Sequence, residues 1–306
     1  METVIAIENL SKRYKDVQAV EALSLELKKG EIYGFIGLNG SGKTTTIRMM
    51  LGMIKPTEGS CSLFGKKVAL KNTKMWERVG YLVEMPYAYP ELTVEENLRL
   101  FQRLRQIKDP EAVGRIIDQL KLTPYARRKA KHLSLGNAQR LGIAKAMLHQ
   151  PDILILDEPV NGLDPAGIVE VRRLLRNLAS NKGVSIFLSS HLLSEVALIA
   201  DKIGIIHQGR LVEEFRTDEL NSLIERKLLV GTRDNKAAAE VLLAQGVTCY
   251  LNAKGLIEIE EKELLERPER VSEKLVETGF PPTYINVEVE SLENYFMRLI
   301  QGEGEG

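Results

Sequence analysis

Cysteine is scarce in this chain of 306 residues, which holds only two. Cys61 and Cys249 close at most one disulfide, which excludes a small scaffold held together by several bridges. No secretory signal precedes them, so a reducing, cytosolic setting is expected. An excess of one charge is also missing, because Lys+Arg and Asp+Glu each number 42. A general polyanion binder rests on a basic excess, so no nucleic-acid partner is expected. Long apolar runs are absent as well. Runs such as Ile153-Leu154-Ile155-Leu156 fall far short of the roughly 18 residues that cross a bilayer. The chain is not expected to span a membrane by itself, though it can sit against one.

What is present points to an ordered protein. Hydrophobic residues make up 44% of the sequence, enough to fill a core, which argues against disorder. The length suits one large domain and one smaller one. The charge is unevenly spread. From Arg216 to the end there are 11 basic and 18 acidic side chains, against 31 and 24 before it. That change of sign predicts two units with different surroundings, 1–216 and 217–306.

The hydrophobic pattern predicts the elements. Thr3–Ile7 and Leu23–Leu27 read as strands with a polar turn between them. Ile32–Ile36 is apolar enough for a strand buried on both faces, followed by a Gly-rich turn and a helix, Lys43–Met50. Further strands are expected near Ser62–Phe64 and Val79–Val83. A helical block then runs from about Thr93 to Gln150. Buried strands return at Ile153–Leu156, Val184–Leu188 and Ile203–Ile206, with helices between. Strands alternating with helices imply an α/β fold with a mostly parallel, covered sheet. Past Arg216 the order of predicted elements is βαββαβ, from Leu228 to Val289. It suggests a small ferredoxin-like α+β domain, closed by a helix at Ser291–Ile300.

Three motifs carry chemistry. Gly37-Leu38-Asn39-Gly40-Ser41-Gly42-Lys43-Thr44 matches G-x-x-x-x-G-K-[ST], between a strand and a helix. Its glycines let backbone N–H groups curl around phosphates, and the helix N-terminus adds positive potential. Lys43 reaches the β- and γ-phosphates, and the Thr44 hydroxyl suits Mg²⁺. Alone, this motif says only that a nucleotide phosphate is bound. The second, Ile153–Glu158, is an apolar strand ending in two carboxylates. Asp157 is placed to hold Mg²⁺ through water, and Glu158 to polarise an attacking water. The third, Leu133-Ser134-Leu135-Gly136-Asn137, opens a helix 91 residues after Lys43. A Ser hydroxyl and a Gly N–H at a helix start make a second phosphate clamp.

Together these residues resemble the ATP-binding cassette (ABC) ATPases. Ser134–Asn137 is similar to that family's signature, usually Leu-Ser-Gly-Gly-Gln, with Leu135 in place of the first Gly and Asn137 in place of Gln. The resemblance covers about residues 1 to 215. It implies a P-loop fold of ABC type, with antiparallel N-terminal strands and a helical subdomain inserted at about 91–150. It also implies roles for individual residues. Tyr14 would stack on adenine; Gly37, Asn39, Gly40, Ser41, Gly42, Lys43, Thr44 and Thr45 would surround the phosphates; Ser134 and Gly136 would clamp the γ-phosphate of an ATP held by another chain. Asp164 lies in the stretch that resembles the D-loop. His191, 33 residues after Glu158, resembles the switch histidine. Thr44 and Asp157 would hold Mg²⁺. Glu84 stands where the family usually has a Gln that links metal, water and transport partner, so it joins Glu158 and His191 as a catalytic candidate and Thr44 and Asp157 as a metal candidate. A Glu at this place, with a C-terminal extension, resembles the subgroup serving bacitracin-type and lantibiotic peptide export or self-protection.

The function that the resemblance implies is an ATP-hydrolysing subunit with ATP and Mg²⁺ as cofactors. It would pair with its own copy or a related ATPase subunit, and sit at the cytoplasmic face of the membrane on a separate permease. The rival readings are a non-transport ABC ATPase acting on nucleic acid or ribosomes, and another P-loop enzyme such as a small-molecule kinase.

Overall fold

A computed structural model describes residues 2–69, 73–84 and 87–302. Met85 and Pro86 of the loop after Glu84, and residues 303–306 of the Gly/Glu tail, lie outside the described residues. The chain divides into two compact units, Met1–Asp218 and Glu219–Gly306.

The first unit opens with an antiparallel hairpin of β1 (Thr3–Tyr14) and β2 (Val17–Lys28). The predicted strands were five residues each; the observed ones run twelve, and only Lys15 and Asp16 turn between them. The extra length is accommodated by bulges. The register shifts at several points, and Asn9 and Ala22 both take a φ of 46°. Such bulges bend and twist the hairpin, and break the strict alternation a straight strand would show. Next come β3 (Ile32–Ile36), α1 (Lys43–Met50), β4 (Glu58–Leu63) and β5 (Lys66–Lys67). The sheet containing the hairpin has the order β2-β1-β4-β5.

After α2 (Thr73–Trp76) and β6 (Val79–Leu82), the predicted helical block resolves into α3 (Val94–Leu104), α4 (Ala112–Gln119) and α5 (Leu135–Met147). Gln106 and Lys121, both at φ 54°, end the first two helices, because a left-handed residue cannot continue a right-handed helix. The chain then returns through β7 (Ile153–Asp157), α6 (Pro165–Lys182), β8 (Ser185–Ser190), α7 (Leu193–Ala197), β9 (Lys202–His207) and β10 (Arg210–Arg216).

These strands build a six-stranded sheet, in the order β10-β9-β3-β8-β7-β6 among the described residues. All neighbours are parallel except β10, which pairs antiparallel with β9. Every residue of β3, β7 and β8 is buried, which is why they read as unbroken apolar runs. Tyr33 and Phe35 pack their rings against Phe187, each with centroids 5.4 Å apart. The register pairs Ile36 with Ser190 and Asp157 with Ser189, so the C-terminal ends of β3, β8 and β7 lie side by side.

In the second unit, α8 (Leu220–Leu223) precedes β11 (Arg226–Gly231), α9 (Asn235–Ala244), β12 (Cys249–Leu251), β13 (Ile257–Ile259), α10 (Lys262–Glu266), α11 (Glu269–Glu277), β14 (Tyr284–Val289) and α12 (Leu292–Gly302). Its antiparallel sheet has the order β12-β13-β11-β14, the strand order of a ferredoxin-like βαββαβ unit. Leu228, Val230, Ile257 and Ile259 face Ala238, Leu242, Val271 and Leu275 in a core of its own. Both cysteines are buried and unpaired. No helix among the described residues is long and apolar enough to cross a membrane.

The loop entering the helical subdomain is fastened by one buried side chain. Asn97 on α3 accepts from Tyr89 N (2.8 Å) and donates to the carbonyls of Tyr89, Leu92 and Thr93. Thr93 and Glu96 close a reciprocal capping box beside it. The three carbonyls also accept from the amides of Leu92, Ala130 and Asn97, so Asn97→Ala should strip its partner from Tyr89 N alone and lower the first unit's stability by about 1–2 kcal/mol. Urea unfolding would check this, and a loss under about 0.5 kcal/mol would show that the loop is held by other contacts.

Candidate functional site

The site is built where three parallel strands end together. Residues 37–42 leave β3 and curl before α1. Gly40 and Gly42 adopt φ of 81° and 109°, values that only glycine takes without cost. The curl leaves no room for larger residues either. A Cβ on Gly37 would lie 2.5 Å from Ile206 O, and one on Gly42 would lie 2.6 Å from Ala19 O. Asn39 and Gly40 form the exposed tip, while Ser41 is buried and Thr45 is half-buried in the first turn of α1. Ala19 belongs to β2, so the hairpin reaches the loop. Tyr14 sits at that hairpin's turn, half-exposed, with Lys12 Nζ 4.9 Å from its ring centroid.

Lys43 is buried. Its Nζ donates to Gly37 O (2.7 Å) and Leu38 O (3.2 Å) and stands 3.5 Å from Glu158 Oε1. The other Glu158 oxygen, Oε2, lies 2.9 Å from His191 Nδ1. A carboxylate is thus held between an ammonium and an imidazole. One residue earlier, Asp157 Oδ2 accepts from Thr44 Oγ1 (2.9 Å) and Oδ1 accepts from Ser189 Oγ (2.5 Å). Ser189 Oγ also accepts from Glu158 N (3.1 Å). The arrangement offers hard oxygen donors at Thr44 and Asp157, a cation for phosphate at Lys43 and a carboxylate at Glu158, with Lys43 and Thr44 in the first turn of α1 and the two carboxylates at the end of β7.

Ser134, Gly136 and Asp164 occupy other places. Ser134 is the exposed N-cap of α5, and its hydroxyl accepts from Asn137 N (3.3 Å). Gly136 packs against the 161–163 turn: a Cβ there would lie 3.3 Å from Gly162 O. Asp164 caps α6, accepting from Gly167 N at 3.0 Å. Glu84, at φ 57°, pairs with Arg48 of α1, and no hydrogen bond links it to Thr44 or Asp157 among the described residues. Past it, the Tyr87 ring is exposed and meets Tyr89 edge-on. Lys145 of α5 donates to Tyr87 O, and burial pushes its ammonium down to about 8.

Comparison with known proteins settles the family. Residues 20–161 match the family model described as ABC transporter. A protein of Bacillus licheniformis named bacitracin transport ATP-binding protein BcrA is 40% identical over 99% of both chains. The chain belongs to the ABC transporter family. A protein of the same name from Enterococcus faecalis is 39% identical, over 99% of this chain and 98% of that one. Among solved structures, an ATP-binding subunit of an ABC transporter covers 72% of this chain and 92% of its own, at 31% identity and a TM-score of 0.65. As a member of this family the chain binds and hydrolyses ATP, on an α/β cassette of ABC type.

Within this ABC cassette the structure brings Gly37–Thr45, Asp157, Glu158 and His191 together, as the sequence predicts. Three neighbours were missed. Ser189 precedes the Ser190-His191 pair at the end of a strand, a signal open to reading. Gln139 lies two residues past Asn137, and its Nε2 donates to Glu158 O at 3.0 Å. Arg48 lies one turn past the phosphate loop.

Gly42→Ala should abolish tight ATP binding, by tenfold or more as an order of magnitude, while β3 and the rest of the sheet keep their fold. Nucleotide titration alongside far-UV circular dichroism would check it; unchanged affinity would refute the steric argument.

Proposed function

We propose that this chain energises a separate membrane permease, working at the cytoplasmic face as one of two ATPase subunits, and that the transporter exports or protects against a peptide antibiotic of bacitracin type. The observation that carries the catalytic half is the Lys43–Glu158–His191 line beside the Thr44–Asp157 pair. The cargo half rests on the relatives' names and on their coverage. The bacitracin proteins match this chain over 99% of its length, so they share its second unit. Several solved cassettes cover only 70–73%.

In this reading Lys43 and the backbone N–H groups of 37–42 hold the phosphates of ATP, and Tyr14 stacks on adenine. Thr44 Oγ1 and the Asp157 carboxylate would hold Mg²⁺, since both are hard oxygen donors on one edge of the site. Held there, the ion would supply charge neutralisation for the phosphates. Glu158 accepts a proton from the attacking water as its oxygen bonds to the γ-phosphorus and the bond to the β-phosphate oxygen breaks. His191 steadies Glu158 and faces the γ-phosphate. Glu84, on its Arg48 counter-ion, joins the site to the loop ending at Pro90, whose exposed Tyr87 suits a permease contact.

Ser134 lies at the start of α5, on the inserted helical subdomain. We assign it and Gly136 to the ATP held by a second subunit, docked head to tail. A dimeric bacterial ABC transporter cassette, 26% identical with a TM-score of 0.64 over 70% of this chain, supports that arrangement. ATP then closes the pair and hydrolysis reopens it, a ligand-driven two-state switch.

Glu158→Gln should keep ATP affinity and lose turnover by about 10²-fold or more, accumulating an ATP-bound dimer on size-exclusion chromatography. Near-normal phosphate release would remove Glu158 from the base role. A mixture of Lys43→Ala and Ser134→Arg chains, each inactive alone, should regain activity through the one intact composite site. A per-chain rate that stays constant on extreme dilution would contradict the paired site.

A further inference from the structure

Glu158 follows the last residue of β7 in the left-handed region, at φ 49°. A non-glycine residue held there persists only where its surroundings over-determine it. Three contacts do so. Ser189 Oγ takes the Glu158 N–H, as described above. On the carbonyl side, Glu158 O accepts from Asn161 N (3.1 Å) and from Gln139 Nε2 (3.0 Å). The Gln139 contact reaches in from the helical subdomain, and Gln139 is itself 3% exposed on α5.

The same helix carries Ser134 at its cap, five positions earlier. Further contacts hold its first turns to the segment that follows Glu158. A Cβ on Gly162 would lie 2.3 Å from Leu135 Cδ2, so the leucine lies flat on that glycine. Arg140 pairs with Glu170 of α6 at 2.9 Å. The signature helix and the residues from Glu158 to Glu170 therefore form one packed body within a chain.

We infer that Gln139 is a positioning residue for hydrolysis, holding the Glu158 backbone so that its carboxylate stays aimed at the phosphates. The inference rests on the proposed base role of Glu158. It adds a physical link between the two composite sites. Ser134 serves the ATP of the partner subunit, and Gln139, on the same helix, sets the carboxylate of the site in its own chain. A shift of α5 on engaging one nucleotide is transmitted to Glu158 at the other.

Gln139→Met keeps the side chain's length and removes the donor. Turnover should fall about tenfold, with ATP affinity changed by less than about twofold, because Tyr14, Lys43 and Thr44 are untouched. The deciding measurement repeats the substitution in Glu158→Gln protein, reading single-turnover phosphate release. A residue acting through Glu158 costs little or nothing further there. A residue that merely supports the fold costs the same factor in both backgrounds, and that result overturns the inference, as does unchanged turnover of the single variant. Should Gln139→Met not fold, Gln139→Glu, isosteric and without the donor at neutral pH, is read by the same comparison. If Glu158→Gln alone hydrolyses ATP normally, the base role fails and the inference with it. If Glu158→Gln is inactive and the comparison shows equal losses, only the inference fails.

Discussion

The hydroxyl of Ser189 stands between two successive residues of the neighbouring strand, donating to Asp157 and accepting from the Glu158 amide. Both strand-end carboxylate residues are held by that crossing. It exists because β7 and β8 are parallel and in a register that sets Asp157 opposite Ser189. A slip of one residue would turn Ser189 to the other face of the sheet and take from a buried carboxylate one of its two hydroxyl donors. Thr44 then ties α1 to the same carboxylate. The phosphate loop, the metal candidates and the base candidate are thus fixed by a sheet whose central strands are buried at every position, which is the most rigid support the fold offers.

Rigidity alone does not aim Glu158. After Asp157 the chain must leave the strand, and the left-handed backbone at Glu158 makes that exit sharp. At Gly40 and Gly42 the same kind of turn is made by glycine, with little strain. At Glu158 a residue with a side chain takes that turn, and the strain of roughly 1–3 kcal/mol is offset by hydrogen bonds to the two peptide groups that flank it. Ser189 supplies one from the neighbouring strand and Gln139 another from the helical subdomain. That distribution ties the signature helix to the backbone that carries the strand-end carboxylate.

The parts legible in the sequence are those whose chemistry is contiguous. The phosphate loop, the Asp157–Glu158 pair and the buried strands β3, β7 and β8 each announce themselves within a few residues, by glycine spacing or by unbroken apolar runs. Elements shaped by distant partners are not legible in that way. The β1–β2 hairpin is longer than its alternation suggests because bulges absorb the irregular positions. The strand β10 is an edge strand in which only Phe215 is buried, and Glu213 and Glu214 interrupt its apolar residues, so no unbroken apolar run marks it. Ser189, Gln139 and Arg48 act on residues 31, 19 and 36 positions away, so nothing local distinguishes them from ordinary polar side chains. Asp164 is a different case. Asp followed by Pro is a helix-start signal, and the structure places Asp164 as the N-cap of α6.

The departures from the usual signature and loop residues have local answers in the packing. Asn137 meets Ser134 through its backbone N–H, a contact that any residue but proline at 137 would preserve. Leu135 lies on Gly162, whose φ of 75° already favours glycine. A bulky residue at 135 makes that glycine doubly necessary, since any side chain at 162 would collide with it. The extra charge of Glu84 is met by Arg48, on the helix that carries Lys43. Both members of that pair are substantially exposed, 55% and 38% at the side chain, and exposed pairs contribute at most about 1 kcal/mol. A contact that weak neutralises the carboxylate without fixing it. Glu84 can therefore exchange Arg48 for another partner at small cost.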